Sequence, residues 1–236
     1  TYADDFAELI RRPDHRHSRE DYKELIRSSK SRPWEDNFVR ILSKMLTFMR
    51  ISTWLILRRC PDLKAYLKYR RMGSLMRDRL QPVLTDALTR GDQVAIISHS
   101  MGCMVSYDVL WKLSRTSEYH QFNDKKIDLW LTLGNPLGDS AIRGMLHDSQ
   151  EAPDGLYPSN VRRWVNVTAE DDYIAHDQQI ADNFEEMKSR GLVETLEDYR
   201  KIYNFWIGGG CSNPHKFYGY LNHPDVARLI GDWIMS

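Results

Sequence analysis

Apolar positions in the first ninety residues recur every three or four places. Between Trp34 and Leu57 they fall at Phe38, Ile41, Leu42, Met45, Leu46 and Met49, one stripe of an amphipathic helix, with Arg40, Lys44 and Arg50 off or beside it. A second helix is predicted from about Leu67 to Leu88, with Met72, Leu75, Met76, Leu80, Val83, Leu84, Ala87 and Leu88 on one face. Pro82 is expected to kink it and Gly91 to stop it. Past Gly91 the period changes. Val94-Ala95-Ile96-Ile97 is a continuous apolar run without polar alternation, the pattern of a strand buried on both faces. A helix over Met101–Leu113 follows, then strands at Ile127–Leu133 and Trp164–Val167. Next come a helix over Ile174–Arg190 ended by Gly191, a fourth strand at Phe205–Ile207 and a closing helix over Val226–Met235. Strands alternating with helices predict an α/β fold, a parallel sheet flanked by helices. Residues 1–65 read as a helical segment and residues 66–236 as the α/β core.

A chain of 236 residues can bury one full core. Thirty-three basic and thirty-three acidic residues leave no formal net charge. Nothing global draws the chain to nucleic acid or to anionic lipid, although Arg58-Arg59 and Arg70-Arg71 are local basic pairs. The three cysteines, Cys60, Cys103 and Cys211, are far apart and form no C-x-x-C pair. That excludes a disulfide framework and a structural zinc site, and a reducing cytoplasm is the simplest compartment. The longest apolar stretch, Met45 to Leu57, is broken by Arg50 and too short for a bilayer core of about 30 Å, so no integral membrane segment is expected. The eight histidines lack H-E-x-x-H spacing, and no metal is expected.

The chemistry concentrates in Ser98-His99-Ser100-Met101-Gly102, where the buried strand ends and a helix begins. Small residues two places either side of Ser100 suit a turn tight enough to lift its hydroxyl above the sheet. The Met101 amide would then lie at a helix N-terminus, able to donate to a developing oxyanion. The plainer reading is an ordinary strand-to-helix turn with Ser98 as its N-cap.

Those five residues resemble the nucleophile elbow of α/β-hydrolase lipases and esterases, with Ser98 where glycine is usual. Later segments are similar to the same family in the same order. Thr132-Leu133-Gly134-Asn135-Pro136-Leu137 resembles a strand end, and Trp164–Val167 followed by Asp172 resembles the acid-bearing strand and loop. Asn213-Pro214-His215 with Tyr218, Tyr220 and the last helix resembles the histidine loop. The likeness covers about Gln93 to the C-terminus, an α/β-hydrolase core.

The resemblance implies Ser100 as nucleophile, His215 as its base, Asp172 as the carboxylate orienting His215, and the Met101 amide as oxyanion donor. Asp171 and, further off, Asp139 are rivals for the acid; His223 is a rival for the base. His99 points away from the nucleophile and reads as a packed or hydrogen-bonded support. The implied activity is hydrolysis of a small-molecule or lipid-like carboxylic ester, with no cofactor. Thioesterase, amidase or phospholipase chemistry on the same residues, or a catalytically silent binding scaffold, are the alternatives.

A second oxyanion donor, which this fold brings from a loop after an earlier strand, is not visible in residues 1–90. Either a segment carrying the first strands lies outside this chain, which opens at Thr1, or the sheet is a reduced variant. The stripe from Phe38 to Leu57 has three readings: packing against the sheet, a cap or lid over the site, or an interfacial helix. As a cap it would offer Trp34, Phe48 and Trp54 to an acyl pocket.

Overall fold

The apolar run after Gly91 becomes the first strand, β1 (Ala95–His99), of a four-stranded parallel sheet. β2 (Ile127–Leu133), β3 (Val161–Ala169) and β4 (Val193–Ile202) follow in simple sequential order across the sheet. The structure is a computed structural model that describes residues 18–29, 61–172, 174–175 and 177–236. The stripe from Phe38 to Leu57, with Trp34, Phe48 and Trp54, lies outside the described residues.

Four parallel strands laid down in order move each crossover in the same direction. Right-handed crossovers then place the connecting helices on one face. The buried clusters follow that rule. One face packs Ile96, Trp130, Trp164 and Leu196 against α3 (Arg70–Arg90), α4 (Met101–Arg115) and the segment 180–189. Leu129, Leu131, Leu133, Val165 and Val167 point the other way and meet Tyr220, Val226 and Leu229 of the C-terminal helices. At the centre of the first face the indoles of Trp130 and Trp164 stack at 4.3 Å, and Phe184 meets Trp164 edge-on at 4.9 Å.

Three expectations are corrected. The predicted helix over Leu67–Leu88 is two: α2 (Pro61–Lys68) and α3, separated at Tyr69, whose backbone is extended. Leu63 and Tyr66 of α2 enter the same core as Leu84 and Leu88 of α3. Pro82 sits inside α3, which runs unbroken from Arg70 to Arg90.

In place of the helix predicted over Ile174–Arg190, the described residues from Ile174 to Gln179 are not helical, and two short helical turns follow, Ile180–Asn183 and Glu185–Ser189, broken at Phe184. Phe184 is fully buried, and its packing against Trp164 overrides the helical pattern. The start at Ile180 is fixed from β4: the Asp198 carboxylate accepts from the Ile180 and Ala181 amides at 3.1 and 3.0 Å.

The fourth sheet strand is β4, not Phe205–Ile207. Ile207–Gly208 instead pairs with Cys211–Ser212 in a small antiparallel hairpin apart from the sheet. β4 carries Glu194, Glu197, Asp198 and Arg200, the charged composition of an edge strand rather than a buried one.

Registers align the strand ends. His99 lies opposite Leu133, and Leu133 opposite Val167, so the segments leaving β1, β2 and β3 emerge at one carboxyl edge of the sheet. Ligands of open α/β sheets bind beyond that edge.

Candidate active site

Ser100 follows β1 directly and precedes α4. Its backbone takes φ 55° and ψ −125°, a conformation that a non-glycine residue holds only when its surroundings impose it. They do so from two sides. The Ser100 amide extends the ladder to the Leu133 carbonyl at 3.1 Å, and the Cys103 amide donates to the Ser100 carbonyl at 3.0 Å as α4 begins. A Cβ on Gly102 would lie 3.9 Å from the Ser98 Cβ, so the small residues flanking Ser100 face each other across the turn.

Ser98 is not the helix cap; that position belongs to Ser100. The buried Ser98 hydroxyl accepts from the Trp130 indole N–H at 3.0 Å. A serine rather than a glycine here gives that buried indole its partner. Beyond Ser100, the Met101 amide opens a 15-residue helix, where the first N–H groups have no intrahelical acceptor.

His215 comes from the other end of the chain. Asn213 and Pro214 make a tight turn: the Lys216 amide donates to the Asn213 carbonyl at 3.0 Å, and the His215 amide to the Asn213 side-chain oxygen at 3.1 Å. The turn delivers the His215 Nε2 to 2.8 Å from the Ser100 Oγ. Its Nδ1 meets both Asp172 carboxylate oxygens, at 2.9 and 2.8 Å. A carboxylate only accepts, so Nδ1 carries the proton and Nε2 is left to accept from the serine hydroxyl. Ser100, His215 and Asp172, predicted from separate segments, thus form one hydrogen-bonded chain. Asp172 is buried at its inner end, while Ser100 and His215 are part-exposed.

Asp172 is held from every side. Its Oδ1 accepts from the Ile174 and Ala175 amides at 3.0 and 3.3 Å, and its Oδ2 from the Tyr220 hydroxyl at 2.6 Å. Burial by itself would raise its pKa. The positive charge that His215 takes on when protonated, and the hydrogen bonds from His215, Tyr220 and the Ala175 amide, outweigh burial and hold the carboxyl below the usual carboxylate range. Tyr220 is pushed the opposite way, by burial first and the Asp172 charge second, so it remains a donor.

His99 occupies the back of the site. Its Nε2 lies 2.7 Å from the His215 carbonyl, to which it must donate, and its ring sits 4.7 Å from the His215 ring. Burial, followed by the neighbouring His215 charge, pushes its pKa down to about 4. The expected supporting role is a hydrogen bond to the histidine loop itself.

The rivals are placed elsewhere. Asp171 is exposed, beside Tyr22 of α1 (Arg19–Ser28), whose phenol burial and the Asp171 charge push upward. Asp139 caps the turn Ser140–Arg143, accepting from the Ala141 and Ile142 amides at 2.8 and 3.2 Å. His223 caps the last helix (Pro224–Ile234), its Nδ1 accepting from the Asp225 amide at 3.2 Å.

Gly134 is a site residue that sequence reasoning passed over. It has φ 53°, and a Cβ there would come within 2.8 Å of the Asp172 Oδ2 and 3.1 Å of the His215 Nδ1. The signal was in the chain, a glycine at the end of a strand beside the Ser100 strand, but only the fold shows what it touches.

Comparison with protein-family models, curated proteins and solved structures returned no match. Among the described residues, no group of three His, Cys, Asp or Glu is placed to hold a metal ion, and no helix is long and apolar enough to cross a membrane. β1 lies at the edge of the described sheet, so no neighbouring strand on its outer side carries a second oxyanion donor among the described residues.

Proposed function

We propose that the chain is a serine hydrolase of α/β-hydrolase type that cleaves carboxylic esters, small or lipid-like, through an acyl-enzyme. The observation that carries this reading is the continuous hydrogen-bonded chain from Ser100 through His215 to Asp172, starting on a strained turn at the carboxyl edge of a parallel sheet. Serine at its own pKa is a weak nucleophile, and an imidazole at 2.8 Å in the right tautomer is what activates it.

In the first half-reaction Ser100 Oγ bonds to the acyl carbon while its proton passes to His215 Nε2. The imidazolium formed is stabilised by the buried Asp172 carboxylate. The electron pair on the carbonyl oxygen collapses back, the C–O bond to the alcohol breaks, and His215 returns the proton to the leaving oxygen. Water then repeats the sequence on the acyl carbon and frees Ser100 as the carboxylic acid departs. Through both tetrahedral stages the Met101 amide at the start of α4 donates to the oxyanion. These steps need no cofactor. A cytoplasmic setting suits the free thiols of Cys103 and Cys211.

The test is hydrolysis of a short-chain aryl ester by the wild type and by Ser100→Ala. The account expects turnover by the wild type and loss of at least ~10³-fold in the variant, with an unchanged circular dichroism spectrum. Equal activity in both proteins would remove Ser100 from the chemistry and the proposal with it.

A further inference from the structure

The position of His215 depends on backbone that belongs to no regular element, yet three consecutive carbonyls of that backbone are each held by a side chain. His99 donates to the carbonyl of His215 itself. The carbonyls on either side, Pro214 and Lys216, both accept from one amide group, the Asn204 Nδ2, at 2.8 and 2.9 Å. Asn204 is fully buried in the segment that leaves β4. Its orientation is not free to reverse, because its Oδ1 accepts from the Trp206 amide at 3.1 Å. Both amide hydrogens and the oxygen are therefore committed.

The space for this side chain is made by a glycine. A Cβ on Gly219, in the helix Phe217–Leu221, would fall 1.6 Å from the Asn204 Oδ1 and 2.4 Å from its Cγ. No side chain at 219 is compatible with Asn204 where it stands. The next residue of that helix, Tyr220, holds Asp172. The same backbone that admits Asn204 beneath the histidine loop thus also carries the hydroxyl that fixes the acid.

We propose that Asn204, seated against Gly219, is a positioning residue for His215, an inference that rests on the ester-hydrolase reading of the site. By tying the carbonyls of residues 214 and 216 to one rigid group, it fixes where the imidazole stands between Ser100 and Asp172. Without it the turn at Asn213 and Pro214 keeps its local hydrogen bonds and the Asn213 amide's bond to the Trp206 carbonyl at 3.2 Å, but loses the ties that hold the carbonyls on either side of His215. Asn204 touches none of the reacting atoms. Its effect is on the rate of acylation and not on binding.

The test compares wild type, Asn204→Ala, Asn204→Asp, Gly219→Ala and the double variant Asn204→Ala/Gly219→Ala. Each is titrated to completion with a fluorophosphonate probe, which counts competent sites, and the rate constant per competent site is then measured. Asn204→Ala is expected to lose about 10- to 100-fold in that rate constant and in kcat, with KM within about twofold. Asn204→Asp sets an oxygen against two carbonyl oxygens and should lose at least as much. Gly219→Ala displaces Asn204 and should reproduce the loss, while the double variant, in which the smaller residue at 204 makes room, should add little to Asn204→Ala alone.

A purely structural role gives the opposite result: fewer competent sites, each reacting at the wild-type rate, with additive losses in the double variant. That result overturns the proposal. A second readout does not need catalysis. The low-field proton resonance of the His215 Nδ1–H, bonded to Asp172, should be sharp in the wild type and broadened or lost in Asn204→Ala and Gly219→Ala. Should the wild type fail to react with the probe, the hydrolase reading falls, and this resonance alone decides for or against Asn204: unchanged in the variants, it refutes the positioning role.

Discussion

Gly134→Ala places one methyl group against the hydrogen bond on which the site turns. The new Cβ would lie 2.8 Å from the Asp172 Oδ2, where ordinary contact begins at 3.4 Å, so the carboxylate or the strand end must yield by about 0.6 Å. Asp172 has little room to yield, because Tyr220 holds the same oxygen and the Ile174 and Ala175 amides hold the other. His215 Nδ1, 3.1 Å from the added atom, is displaced as well.

A misplacement approaching 1 Å at reacting groups costs on the order of 10²-fold, and complete loss of the orienting carboxylate about 10⁴-fold. The expected fall in kcat therefore lies between those limits, near the lower one. A left-handed backbone at a residue with a Cβ adds a stability cost of about 1–3 kcal/mol, which for a chain of this size lowers Tm by a few degrees to roughly ten. The assay is aryl-ester turnover per titrated site, beside a thermal melt. A variant that melts lower and turns over at the wild-type rate would show that the Gly134 approach does not govern the His215–Asp172 geometry.

Three further outcomes are expected. His99 has a folded-state pKa of about 4 against an ordinary 6.5, so the stability it contributes is complete above pH 6.5 and is lost as pH falls toward 4. The loss amounts to up to roughly 3 kcal/mol; urea unfolding at pH 7 and pH 4.5 should show a smaller drop in His99→Gln, which keeps an N–H for the His215 carbonyl, and equal drops would remove His99 as a cause. The Asp172 pKa is depressed, so its contribution is present above the ordinary carboxylate pKa and fades only at lower pH, a separate window. Tyr66→Phe deprives the buried Asp108 carboxylate of its phenol donor, leaving the His147 amide and the nearby Arg77, and should cost about 1–3 kcal/mol with the rate per competent site unchanged. Ser98→Ala strands the buried Trp130 N–H and should likewise cost about 1–3 kcal/mol in denaturant unfolding; a neutral result would mean that the Trp130 bond contributes nothing net.

What could be read in the sequence was the local and self-contained part. The strand Val94–Ile97 announces itself by an unbroken apolar run, and the turn at Ser100 by small neighbours within one pentapeptide. β4 escaped because an edge strand needs few apolar residues: Val193, Leu196 and Ile202 are buried there among charged neighbours that break up any apolar run. The break at Phe184 and the cap from Asp198 escaped because their partners lie on other strands. Gly134, Tyr220, Asn204 and Gly219 matter through contacts between segments far apart in the chain, and no spacing within a window reveals such contacts.

The central claim is that Ser100 is the activated nucleophile. Its most direct test is reaction of the wild type with a fluorophosphonate, followed by peptide mass spectrometry of the adduct. The account predicts a single adduct, on Ser100, and none in Asp172→Asn or Ser100→Ala on the same time scale. Modification of another residue, or a folded wild type that never reacts, would contradict it.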